Sequence, residues 1–112
     1  MTSHLEEELV GWFKYAGVTG YTRQFRAIPG RRYSFDFAFI AARILVEVQG
    51  GVWSRGKSGH KSGRGIEDDT EKLNLAVIEG YRVLQVTGKQ IKDGRAVNWI
   101  LEALKGCQNG QE

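Results

Sequence analysis

Tyr33, Phe35, Phe37 and Phe39 alternate with Ser34, Asp36, Ala38 and Ile40, and this period-two run is the tightest constraint on the fold. Such alternation puts one set of side chains on each face of a β-strand. After Ala41-Ala42 comes Ile44-Leu45-Val46-Glu47-Val48-Gln49, a near-continuous apolar run typical of a strand covered on both faces. A connection this short predicts an antiparallel hairpin. A two-residue loop at Ala41-Ala42 pairs Ile40 with Arg43, and counting back sets Asp36 opposite Glu47. A four-residue loop over 40–43 gives the same register. Ser34 then lies opposite Gln49, on the face that carries both acids. A slip of one residue would send the acids to opposite faces.

Carboxylates directly across a hairpin have Cβ atoms about 4.5–5.5 Å apart. They raise each other's pKa unless a cation lies between them. A hard divalent ion, held by one or two carboxylates with water and a phosphate completing its shell, answers that need. The same spacing also admits a structural reading, in which Asp36 and Glu47 each pair with an arginine.

The flanking segments frame one domain over residues 1–112, with a core of about 3–105 and a polar tail at 106–112. Residues 3–16 are expected to be helical. Ser3 and Glu6 fit a capping box, and Leu5, Leu9, Trp12, Phe13 and Ala16 form one stripe closed by Gly17. Residues 22–28 suggest a weak strand before Pro29-Gly30. Residues 66–79 predict a helix with an acidic first turn and a stop at Gly80, on which Asp69 shares the inward face with Leu73, Ala76 and Val77. Residues 82–86 predict a strand, and 95–105 a last helix with Val97, Ile100, Leu101 and Leu104 as its stripe. The order α-β-β-β-α-β-α predicts an α/β fold: a mixed central sheet flanked by helices, with the active site at one edge.

Charge is segregated. The net charge is only +3, but Arg23, Arg26, Arg31 and Arg32 lie close together, and Arg55, Lys57, Lys61 and Arg64 form a second group. Such clustering is the footprint of a polyanion partner, although a solvated basic face would look the same. The second group falls in residues 50–65, a glycine-rich stretch with no regular period. Stretches of that length inside a small domain are usually functional or disordered. His60, whose imidazole carries a proton near neutral pH, is a candidate proton donor or water-orienting group there. Trp53 is a candidate for stacking on a base or for anchoring the loop to the core. No apolar run approaches membrane-spanning length, and MTSHLEEEL lacks a signal-peptide pattern. The single cysteine, Cys107, excludes an internal disulfide and a structural thiol-metal site, so a cytoplasmic location is expected, in a bacterial host if the chain is phage-encoded.

Phe35-Asp36-Phe37 followed by Val46-Glu47-Val48-Gln49-Gly50-Gly51 resembles the core of the PD-(D/E)XK nuclease superfamily. The likeness extends through the Gly/His/Arg loop and EDDTEKLNLAVIEGYRVLQVT. Over about residues 3–105 the chain is similar to small phage and bacterial endonuclease-like proteins related to very-short-patch repair endonucleases and RecU-type Holliday-junction resolvases. The resemblance implies a restriction-endonuclease-like fold and Mg²⁺- or Mn²⁺-dependent hydrolysis of DNA phosphodiesters in repair or recombination. Asp36, Glu47 and the Val48 carbonyl would bind the metal. Glu6, on the first helix, would complete the site, although capping with Ser3 is a full structural alternative. Gln49 stands where the family has lysine; its amide orients a water but brings no charge. Lys72, on the following helix, is the candidate to replace that charge, against a solvated role beside Asp68 or Asp69. Arg31, Arg32, Trp53, Arg55, Lys57, His60, Lys61 and Arg64 would hold DNA. A chain this short favours recognition of a junction, flap, nick or mismatch over a long specific sequence, and symmetric junction cleavage would call for a homodimer. Two rivals stay open: a catalytically inactive DNA-binding module with the nuclease fold, and a protein-interaction domain whose acids are structural.

Overall fold

A computed structural model describes residues 3–50 and 63–109. Helix α1 (His4–Ala16) leads to β1 (Thr22–Phe25), β2 (Phe35–Phe39) and β3 (Ile44–Gln49). Then follow α2 (Gly63–Ile78), β4 (Arg82–Thr87), a short α3 (Gly88–Lys92) and α4 (Arg95–Asn109). The strands form one sheet in the order β1-β2-β3-β4. The β1–β2 and β2–β3 pairs are antiparallel, whereas β3 and β4, joined through α2, are parallel. This is the mixed sheet flanked by helices that the pattern predicts. Among the described residues no helix is long and apolar enough to cross a membrane.

The β2–β3 ladder pairs Phe39 with Ile44, Ala38 with Leu45 and Phe37 with Val46, the register expected from the hairpin count. Because β3 is apolar on both sides, it serves two cores. Ile44 and Val46 join Phe37, Phe39, Leu9, Phe13, Val97 and Ile100 on the α1/α4 face. Leu45 joins Ala38, Ala76 and Tyr81 on the α2 face. Aromatic edge contacts knit the first core, with the Phe13 ring 5.4 Å from Phe37 and 6.0 Å from Phe39.

Several boundaries differ from the expectation. Helix α2 begins at Gly63, so its acidic residues 67–69 fall in the second turn and leave none in the first. Asp69 and Val77 are both exposed, against the expected inward face, and Leu101 and Ala16 also face outward. Helix α4 runs to Asn109, past the expected end at 105. The unpredicted α3 is nucleated by a reciprocal Thr87–Gln90 capping box, whose short span gives no periodicity to read. The acids lie on the two central strands, near one end of the sheet and away from its edge strands.

The hairpin turn is held by Arg43, a non-glycine residue at φ +59°. That conformation costs roughly 1–2 kcal/mol for an L-residue. Its guanidinium donates to the Glu79 carbonyl and stacks on Tyr81 at 4.1 Å, and its own carbonyl accepts from Arg82 N at 2.9 Å. Arg43→Ala loses the side-chain contacts and keeps the strain, whereas Arg43→Gly loses the same contacts and releases it. In urea unfolding the glycine variant is expected to exceed the alanine variant by about 1 kcal/mol; an inverted order would contradict this account of the turn.

Candidate active site

One step beyond the Phe37–Val46 pair, side chains take over the bonding between β2 and β3. The Asp36 amide donates to Glu47 Oε1 at 3.2 Å, and the Val48 amide donates to Asp36 Oδ2 at 2.7 Å. Each acid therefore caps an amide of the opposite strand. The second oxygen of Glu47 pairs with Lys72 from α2, and both side chains are only 17% exposed. The Lys72 ammonium also lies 4.6 Å from the centre of the Phe35 ring. The solvated role for Lys72 beside Asp68 or Asp69 is thus replaced by a half-buried ion pair with Glu47.

Alternation breaks where the acids sit. Gln24 has φ +49°, the second such non-glycine among the described residues. Arg23, just before it, lies over Phe37 at 5.2 Å on the first face, whereas Phe25, just after it, packs with Tyr81 in the second core. On β2, Phe37 belongs to the first core and Phe35, two residues earlier, to the second. Side chains from both helical layers consequently converge on the Asp36–Glu47 pair, Lys72 reaching Glu47 and Glu6 lying beside Asp36. From α1, Glu6 is buried, with 7% exposure. Its Oε1 accepts from Arg23 Nη2 at 3.4 Å and from Gln24 Nε2 at 3.3 Å. The same Gln24 nitrogen donates to Asp36 Oδ1 at 3.3 Å, and the Ser34 hydroxyl donates to Gln24 Oε1 at 3.3 Å. Only half of the expected capping box forms: Ser3 Oγ accepts from the Glu6 amide at 3.1 Å, while the Glu6 carboxylate turns to the site.

Gln49 donates through Nε2 to Gln85 Oε1 at 2.7 Å. With Glu47, Val48, Asp69, Lys72, Leu73 and Gln85 it lines a polar pocket of about 200 Å³. Larger clefts, such as the one beside Leu5 and Gly88, lie away from the acids and are mostly apolar. Arg31 reaches Glu71 at 2.6 Å, and Tyr33 donates to the same carboxylate at 3.0 Å. Arg32 is exposed. Trp53, Arg55, Lys57, His60 and Lys61 lie outside the described residues, as does the Arg64 side chain. Sequence reasoning missed Gln24 and Gln85, which become visible only once β1 is set against β2 and β4 against β3.

Among the described residues, no group of three or more His, Cys, Asp and Glu side chains stands close enough to hold a metal ion. The structure brings Asp36 and Glu47 together and sets Glu6 beside Asp36, near enough for the two carboxyls to interact directly. The donor chemistry nevertheless fits a hard divalent ion, since Asp36 and Glu47 offer carboxylate oxygens and need no further protein ligand when water and phosphate fill the shell. Burial, and then the nearby charge of Asp36, raises the Glu6 carboxyl above its ordinary value, against the lowering effect of Arg23. Burial also raises Glu47; Lys72 opposes the rise and Asp36 adds to it.

No protein-family profile matches the chain, and no curated protein matches it. Among solved structures the chain is similar to the homing endonuclease I-Bth0305I catalytic domain, with a TM-score of 0.69 and 19% identity. The match covers 95% of this chain and 98% of that domain. At this identity the likeness shows a shared fold.

A carboxyl whose folded pKa is raised takes up a proton on folding. Its stabilising contribution is full below the ordinary value of 4.5 and is lost as pH rises through the raised value. Glu71, held below its ordinary range by Tyr33 and Arg31, and Asp93, held below its own by Arg95, act in the opposite sense only at more acidic pH. With chelator present, Tm is therefore expected to fall as pH rises above the ordinary value of 4.5. Glu6→Gln should flatten that slope and raise Tm at the alkaline end by about 2–5 °C. A wild-type Tm that climbs over this range would contradict the assignment.

Proposed function

We propose that this chain is a divalent-metal-dependent DNA endonuclease of the PD-(D/E)XK type. The observation that carries the reading is the Asp36–Glu47 exchange with Lys72 seated on Glu47, in a domain whose fold is shared with a homing endonuclease catalytic domain. The fold alone does not specify chemistry; the acids and the lysine are what support this reading.

Asp36, Glu47 and the Val48 carbonyl would hold Mg²⁺ or Mn²⁺, with Glu6 drawn in from α1. The ion supplies Lewis acidity toward phosphate and lowers the pKa of water. Gln49 spends its amide nitrogen on Gln85, so its oxygen is the atom that would orient the attacking water. Attack forms the new P–O bond and gives the water's proton to solvent as the bond to the leaving sugar oxygen breaks, and that oxygen takes up a proton, from His60 or solvent. Lys72 supplies the charge that Gln49 lacks, balancing the negative charge that grows on the phosphoryl oxygens. Arg31, Arg32, Trp53 and the basic residues 55–64 would hold the DNA, the cationic ones through salt-sensitive phosphate contacts. Recognition of a junction, flap, nick or mismatch belongs to this proposal, as does pairing of two copies for symmetric cuts.

The test is a cleavage panel of branched, nicked, mismatched, duplex and single-stranded DNA with Mg²⁺ and Mn²⁺. Cleavage of at least one form is expected, abolished by chelator and by Asp36→Asn. Lys72→Met should lower the rate about 10²–10³-fold, the scale for removing one preorganised charge from a phosphoryl-transfer site. Gln49→Ala should cost less, about tenfold, in keeping with loss of water positioning alone. Salt-sensitive DNA binding without cleavage under any condition would leave the inactive DNA-binding module, which the Gln49–Gln85 pair favours. Absence of DNA affinity at low salt would reject both.

A further inference from the structure

Gln24 stands where two acids would otherwise face each other. Its single Nε2 group spans Glu6 Oε1 and Asp36 Oδ1, each at 3.3 Å. Ionised carboxylates only accept hydrogen bonds, and the Ser34 hydroxyl is free to donate to the amide oxygen. The orientation of the amide is therefore dictated by its neighbours: NH₂ toward the acids, oxygen toward Ser34. A residue with φ +49° is an expensive way to deliver a donor, and strain of this kind persists where the surroundings impose it.

An amide nitrogen cannot ligate a divalent ion through its N–H groups. Resting on the metal-site reading above, we propose that Gln24 is a placeholder for the cation. In the metal-free protein its amide supplies positive hydrogen-bonding edges between Glu6 and Asp36. With the ion bound, the amide would give way to it and Glu6 would be free to serve as a further carboxylate ligand beside Asp36. Gln24 is thus a positioning residue that sets metal affinity by stabilising the state without metal. It also accounts for Glu6 being buried close beside Asp36. Arg23, divided between Glu6 at 3.4 Å and Glu7 at 3.0 Å, keeps Glu6 partly compensated once the amide departs.

The test combines Mn²⁺ affinity, read from the electron paramagnetic resonance of the free ion, with Tm in chelator and in saturating Mn²⁺. Gln24→Met keeps the length and the backbone demand but has no donor. Gln24→Gly removes the donor and accepts the positive φ, and serves if the methionine variant folds poorly. Both are expected to bind Mn²⁺ about tenfold more tightly than wild type, the factor expected when a charge-assisted hydrogen bond is lost from the metal-free state alone. For Gln24→Met, Tm in chelator should fall by about 4 °C and the deficit should vanish in saturating Mn²⁺. Unchanged or weaker affinity, or a Tm deficit equal with and without Mn²⁺, would overturn the placeholder and leave Gln24 as ordinary sheet packing. Failure of wild type to bind Mn²⁺ at all would overturn the metal site and the placeholder together.

Discussion

The exchange between Asp36 and Glu47 is the interaction on which the rest depends. Each carboxylate serves an amide of the other strand, so the hairpin stays closed past the end of its backbone ladder. Two acids at that spacing repel, and burial penalises their charge further. The molecule offsets this with Lys72 on one side and Gln24 on the other. Those partners come from either side of the hairpin in the chain, β1 before it and α2 after it, and both must dock before the strand end is electrostatically tolerable. Hairpin register, the strained turn at Arg43 and the docking of α2 are therefore parts of one arrangement.

The same arrangement explains how the basic face and the acidic centre coexist. Arg31 is tied to Glu71 and Arg23 to Glu6 and Glu7, so several arginines that look like a polyanion surface in the sequence are partly neutralised within the fold. An incoming phosphate would compete for these guanidinium groups with carboxylates that are themselves exposed or shared. The polar pocket beside Gln49 and Lys72 is small, whereas the larger clefts are mostly apolar and are not lined by Asp36 or Glu47, so chemistry and cleft size point to different places.

Much of this was legible in the sequence. The alternation of Phe35, Phe37 and Phe39 and the short connection at Ala41-Ala42 are local signals, and they carry the register that sets Asp36 against Glu47. Glu6 was ambiguous because one residue can serve a helix cap through its amide and a site through its carboxylate, and the structure uses it for both. The direction of Lys72 depended on helix phase and on α2 docking against the β2–β3 face, which periodicity constrains loosely. Gln24 left no trace at all. Its role needs the β1–β2 pairing across the intervening residues 26–34 and a left-handed backbone at a residue type that rarely adopts one. α3 was missed because its single turn is defined by a cap, and caps do not show up as a period.

The break in alternation at Gln24 and Asp36 has a mechanical consequence. Most sheet positions face one layer of the fold and are insulated from the other by the sheet itself. Here α1 and α2, on opposite faces, both bear on one pair of carboxylates. A small slide of one helical layer against the other would change the distance between Glu6 and Lys72 across the acids, so the packing of the two faces sets the spacing of the charges around them.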